Sequence, residues 1–253
     1  MKLIDSHCHL SSTYYSDLEK VISESEKNGI KYFLNVCCEM AEIEEGLKIV
    51  KKHENIFLSL GLHPSETFKY NENDLKIIKS LLKENKKIIA LGEIGLDYHY
   101  IIPKEEQQEL FKKQLDIAEE LNKPIIIHMR EATKDTIDLL KKYHLKGIIH
   151  CYSGSLETAK ELISMGYLLG IGGVLTFKNS KLKETIKNIS LSKLVLETDS
   201  PFLTPEPYRG KQNSPKYIKD IALYLANIKG VPLEEVEKQT FQNFCQLFDL
   251  PLA

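Results

Sequence analysis

Eight short β-rich runs alternate with longer amphipathic helical patterns along the whole 253-residue chain, and few architectures can absorb that alternation. The runs are residues 2–10, 30–37, 56–63, 88–97, 124–130, 147–151, 167–174 and 194–199. Between them lie segments such as 16–28, 41–53, 73–84, 104–121 and 132–143, where apolar residues recur at three-to-four spacing and charges fill the other faces. Asn28-Gly29 closes the first helix, Pro103 precedes the fourth, Pro124 opens the fifth strand and Gly166 ends the sixth helix. Parallel strands joined by helices bury both faces of their sheet, and eight such units of this length close into a single α/β domain, the (β/α)8 TIM barrel. One domain spanning residues 1–253 is therefore expected, with a further helix pair over 216–228 and 233–248 at the C-terminal end. Three glycines in Gly170-Ile171-Gly172-Gly173 make the seventh strand the weakest of the eight and permit close backbone approach there.

Composition narrows the classes of partner. The 42% hydrophobic content suits a soluble domain with a sizeable core, while a net charge of -2 provides no overall field to attract polyanions. A nucleic-acid partner would need a local site or bound cations. The five cysteines are odd in number, and Cys37 and Cys38 are adjacent, a poor geometry for a disulfide framework. Reduced thiols and a cytoplasmic location are the expectation. Met1 leads into a segment carrying Asp5, His7 and His9, unlike the apolar core of a signal peptide. Apolar runs are too short and too interrupted to span a bilayer, so neither a membrane nor an obligate protein partner is indicated.

The chemistry collects at the C-terminal ends of the runs. Alternation along the first strand puts His7 and His9 on one side and Cys8 on the other. His63 ends the third run, Glu93 lies in the fourth, and His128, His150 and Asp199 follow in the fifth, sixth and eighth. In a (β/α)8 barrel these ends share the face that carries active sites. Taken singly, each is more simply a satisfied core or rim residue. Crowded together, imidazoles and carboxylates need a cation or mutual pairing to offset desolvation and repulsion, and a pair of divalent ions would satisfy them all. His53, His99 and His144 fall in helical or loop contexts and are set aside.

Arginine occurs only at Arg130 and Arg209 among 34 basic residues. Arg130 follows His128 by two positions on the same strand face, and Arg209 lies in the loop after the last strand. A planar guanidinium suits bidentate phosphate binding, with a structural ion pair as the plainer alternative for each. The segment Tyr208-Arg209-Gly210-Lys211-Gln212-Asn213 adds donors and an aromatic ring on which a base could stack.

With these residues in view, the sequence resembles the TatD family of metal-dependent deoxyribonucleases, among the amidohydrolase-like barrels. The matching blocks, in order, are DSHCHL from Asp5, GLHP from Gly61, GEIGLDYH from Gly92, IIIHMREA from Ile125, HCYSGS from His150 and ETDSPFLTP from Glu197. Ser214 departs from an acidic position usual in the family, which touches loop contacts rather than the metal centre. The resemblance implies that His7, His9, Glu93 and Asp199 hold one divalent ion and that Glu93, His128 and His150 hold a second. Glu93 then bridges them, as a carboxylate with two oxygens can span ions roughly 3.5 to 4 Å apart. It further implies phosphodiester hydrolysis in DNA, from the 3′ end of single strands. Asp199 would orient or deprotonate the attacking water, and His63, Arg130 and Arg209 would contact the substrate. Zinc, magnesium and manganese all suit such ligands to differing degrees. Two rivals are a hydrolase of small amides, lactones or phosphoesters and a barrel that binds without catalysis. Amide-hydrolysing relatives commonly bridge their metals with a modified lysine on strand four, where this chain has Glu93, and a binding barrel should lack a ligand.

Overall fold

The computed structural model describes residues 2–252. Met1, where the leader reading begins, and Ala253, the other end of the expected domain span, lie outside the described residues. Eight strands form one sheet in chain order: β1 (Leu3–Cys8), β2 (Ile30–Cys37), β3 (Ile56–Leu60), β4 (Ile88–Asp97), β5 (Ile125–Arg130), β6 (Gly147–Ile149), β7 (Tyr167–Ile171) and β8 (Leu194–Leu196). Helices α1 (Leu18–Lys27), α2 (Met40–Lys52), α3 (Glu72–Glu84), α4 (Lys104–Glu120), α5 (Thr133–Leu140), α6 (Leu156–Ser164) and α7 (Leu182–Lys187) lie between successive strands. The chain continues through α8 (Ile218–Lys229) and α9 (Leu233–Leu247), the expected C-terminal pair. The architecture is the (β/α)8 barrel expected from the alternation.

Five strands stop short of their sequence runs. β1, β3, β6, β7 and β8 end at Cys8, Leu60, Ile149, Ile171 and Leu196, so His9, His63, His150 and Asp199 stand just past the strand ends. Apolar periodicity marks which residues are buried, and burial here continues beyond the last strand residue into the turns that carry polar side chains. After β7 the chain tightens into a 3-10 turn at Gly173–Thr176, where a Cβ on Gly173 would fall 2.0 Å from the Leu203 carbonyl oxygen.

The chain divides into two compact units, one over Val36–His150 and the other formed by the segment ending at Asn35 and that beginning at Cys151. In the Val36–His150 unit, β3 to β6 are parallel neighbours, with Ser59 opposite Ala90, Leu91 opposite Ile125 and Ile126 opposite Ile148. Every residue of β4 is buried, Glu93 and Asp97 included. An Asn71–Asp74 capping box starts α3. On α4, Gln107 and Gln114 are two turns apart and face inward, and each spends both ends of its amide on one backbone residue. Gln114 accepts from the Leu62 N–H at 2.8 Å and donates to its carbonyl at 2.9 Å. Gln107 does the same for Asp97, at 2.9 Å in both directions. Buried peptide groups at the ends of strands lose ladder partners, and these glutamines replace them beside His63 and at Asp97.

In the other unit, β1 pairs with β2, Leu3 opposite Ile30 and Cys8 opposite Asn35, while β7 pairs with β8, Leu169 opposite Leu194. The turn after β8 joins the end of β1: the Asp199 N–H donates to the His7 carbonyl at 2.9 Å and the His9 N–H to the Ser200 carbonyl at 2.8 Å. Asn35 holds Leu10 by accepting from its N–H at 2.7 Å.

Gly95 shows where backbone proximity dictates the residue. It lies opposite His128 at φ 145°, and an added Cβ would sit 2.0 Å from the His128 carbonyl oxygen. Gly95→Ala is therefore expected to destabilise by about 3 kcal/mol or more, as overpacking against backbone cannot relax. Gly210, at φ 85° with nothing within 4 Å of the added atom, should lose only about 1 kcal/mol as alanine. Urea unfolding of both variants checks the contrast, and similar midpoint shifts would contradict it.

Candidate metal centre

Metal-capable side chains come together in each unit. In the Val36–His150 unit the set is Glu93 on β4, His128 on β5 and His150 just past β6, with ligand atoms all within 4.8 Å of one another. His128 Nδ1 lies 2.6 Å from Glu93 Oε1, and His150 Nε2 lies 3.8 Å from the same oxygen. The other carboxylate oxygen accepts a hydrogen bond from the Cys38 thiol at 3.4 Å. Burial, together with the charge of Glu93, holds that thiol well above its ordinary pKa, so it stays a donor.

In the other unit the set is His7, His9 and Asp199. Both imidazoles present Nε2 to one Asp199 oxygen, His7 at 3.8 Å and His9 at 3.6 Å. Cys8 turns the other way and donates to the Leu34 carbonyl, as strand alternation requires. Asp199 has φ 54°, in the left-handed region, and its N–H bond to His7 holds it there. Asp5 ties the two segments together: it accepts the His7 N–H at 3.3 Å, the Thr198 N–H at 2.9 Å and the Thr198 hydroxyl at 2.5 Å. Burial nevertheless lifts the Asp5 carboxyl to about 8.

The donor sets fit divalent ions. Separations of 3.6 to 3.8 Å exceed a hydrogen bond, yet two ligand atoms each about 2.0–2.2 Å from a common cation stand roughly 3 to 4 Å apart. Imidazoles with a carboxylate are the ligands that zinc and manganese accept.

Asp97, which sequence reasoning left out, belongs beside this centre. His128 donates from Nε2 to Asp97 Oδ2 at 2.9 Å. Burial works against charge on His128, but its bonds to Asp97 and Glu93 prevail and push its pKa up to about 9. Burial likewise opposes the Asp97 charge, and His128 outweighs it, so Asp97 stays below its usual value. The signal was available, because positions 93, 95 and 97 of one strand face the same way.

Sequence placed three further residues at the site. His63 caps the 3-10 turn Pro64–Glu66, and its Nδ1 accepts the Ser65 N–H at 3.1 Å. A backbone N–H can only donate, so the neutral ring carries its proton on Nε2, as suits a substrate-side donor. Its ring stands edge-on to His128 at 4.6 Å. Arg130 is half-exposed, with a guanidinium nitrogen 3.9 Å from Asp97. Arg209 lies over the Phe177 ring at 4.1 Å and donates to the Thr204 carbonyl, which gives it a structural task. Tyr208, offered as a stacking surface, already stacks on Tyr217 at 4.3 Å. His99 is exposed, with Nδ1 3.4 Å from a Glu131 carboxylate oxygen.

The profile of TatD-related DNases matches residues 4–249. The chain belongs to the TatD family. Its relatives include YabD of Bacillus subtilis, 40% identical over 97% of this chain and 98% of its own, and YcfH of Escherichia coli, 36% identical over 99% and 97%. Both are described as uncharacterized metal-dependent hydrolases. The crystal structure of YjjV, a TatD homolog from Escherichia coli, superposes with a TM-score of 0.93 at 28% identity over 98% of both chains. This TatD-family chain is a metal-dependent hydrolase with candidate clusters of metal ligands. No helix among the described residues is long and apolar enough to cross a membrane.

In the metal-free protein His128 is charged at neutral pH. Its folded pKa lies above the unfolded value of about 6.5. The stability it contributes is complete below that value and is lost as pH rises through about 9. An ion taken at Nδ1 must displace a proton, so metal uptake at pH 7.5 should release about one proton per chain from this residue. Calorimetric titration in two buffers of different ionisation enthalpy measures it, and a buffer-independent heat would contradict the assignment.

Proposed function

We propose that this chain hydrolyses phosphodiester bonds of DNA with two divalent ions, shortening single strands from the 3′ end. The observation that carries the reading is the pair of buried histidine–carboxylate sets, His7, His9 and Asp199 in one unit and Glu93, His128 and His150 in the other. The reading assigns one ion to each set, with zinc, magnesium or manganese as the ion. Bound divalent ions supply Lewis acidity and make water a nucleophile near neutral pH. Asp199 is the carboxylate that orients the attacking water or receives its proton, with orientation the larger part of its task. His63 offers Nε2–H to a phosphate oxygen. Arg130 reaches the phosphate from its half-exposed position, and Arg209 does so from its place on Phe177. The half-exposed Phe202 ring, edge-on to His9 at 5.7 Å, offers a face on which a terminal base can stack. A local site of this kind makes a net charge of -2 compatible with a polyanionic substrate. The family description supports DNA as substrate, and five free cysteines support action in the cytoplasm.

Metal-stripped protein should leave a labelled single-stranded DNA intact, and restoring magnesium, manganese or zinc separately should produce stepwise shortening from the 3′ end. Glu93→Ala should lose about a thousand-fold or more in rate, since it removes a ligand worth several kcal/mol of transition-state stabilisation. Wild-type protein that cuts DNA with none of these ions would overturn the nuclease reading and direct attention to small phosphoesters and amides.

A further inference from the structure

We infer that Asp97 is a positioning residue for the metal centre, holding the Nε2–H of His128 so that Nδ1 is the atom left to face an ion. The inference rests on the metal-ligand reading of Glu93, His128 and His150 and names a residue outside that set.

An imidazole ligates through one nitrogen, and the hydrogen bond made by the other decides which one. Here the two nitrogens meet different carboxylates. Nδ1 points to Glu93 Oε1 at 2.6 Å, within the ligand set, while Nε2 points away from it to Asp97 Oδ2 at 2.9 Å. With an ion at Nδ1, the ring's remaining proton sits on Nε2, and Asp97 is the acceptor already in place.

Asp97 is itself held on every side. It is 1% exposed, and its Oδ1 accepts the His99 N–H at 3.0 Å. Gln107, equally buried, binds both its backbone N–H and its carbonyl. The support therefore runs from α4 through Gln107 and Asp97 to His128, with no exposed link. Arg130, 3.9 Å from the same carboxylate oxygen, offsets its charge.

His63, Asp97 and His128 also lie within 4.8 Å of one another, and a third ion site is the competing interpretation. The hydrogen bonds argue against it. His63 Nδ1 is occupied by the Ser65 N–H, which leaves a proton on its Nε2, and the Nε2 of His128 is the donor to Asp97. Asp97 stands among N–H donors and not among lone pairs, as suits an ionised carboxylate that orients a ligand.

Titration of metal-stripped full-length protein with zinc, followed by calorimetry, tests the inference without reference to any substrate. Asp97→Ala should weaken zinc binding at the His128 site by about 10- to 100-fold, and Asp97→Asn by less, because its amide oxygen can still accept the Nε2–H. Nitrogen-15 histidine NMR of zinc-loaded wild type gives a readout that needs no variant, and the His128 proton should be found on Nε2. A proton on Nδ1, or an Asp97→Ala variant that binds zinc as wild type does, overturns the inference alone. Wild-type protein that takes up no divalent ion overturns the metal-ligand reading and this inference with it.

Discussion

The structure depends on the cost of placing ionisable groups where water cannot reach them. Glu93, Asp97 and His128 are largely withdrawn from solvent on adjacent parallel strands, and each is tolerable only because the others are there. A carboxylate alone in such surroundings would take up a proton, and an imidazole alone would lose one. Joined in a line, Glu93 to His128 to Asp97, they favour charge on the imidazole and on Asp97, and His128 is lifted to about 9 while Asp97 is lowered. The surrounding fold can be understood as what keeps these three groups in register.

The barrel does this with backbone geometry. Parallel strands fix the side of the sheet to which each residue points, and Gly95 lets β4 approach β5 closely opposite His128. Beyond the strand ends the regular ladder stops, and individual side chains take over its role. Gln107 and Gln114 satisfy the backbone at Asp97 and Leu62, and Asp5 and Asn35 do so around His7, Thr198 and Leu10. A buried polar group without a partner costs about 1–3 kcal/mol, so each of these residues stabilises the fold while aiming a neighbouring functional group.

Family membership and geometry speak to different parts of the function. The match over residues 4–249 establishes a TatD-family metal-dependent hydrolase. A net charge of -2 provides no broad basic field, so the proposed function draws on the histidine–carboxylate sets and on donors such as His63 and Arg130. Arg209 illustrates the limit of reasoning from residue type. A rare arginine in the loop after the last strand invites a phosphate, yet in the fold its guanidinium also anchors Phe177 and the Thr204 carbonyl.

By itself the sequence determined the eightfold alternation, the α/β class and the opposite facing of His7 and Cys8, because these follow from periodicities of two and 3.6 residues that operate within one element. The blocks around Asp5, Gly61, Gly92, Ile125, His150 and Glu197 were equally legible, since their residue types and order survive without any knowledge of contacts. Tertiary structure decided where β1, β3, β6, β7 and β8 end, because strand ends are set by the loss of a neighbour's hydrogen bonds and not by local apolarity. It also decided the partners of Asp97, which stands in the sequence as one more acid in a conspicuous block. Its pairing with His128, 31 positions away, and its clamp by Gln107 from α4 arise only when separate elements pack and exclude water, and desolvation then makes a hydrogen bond at 2.9 Å matter.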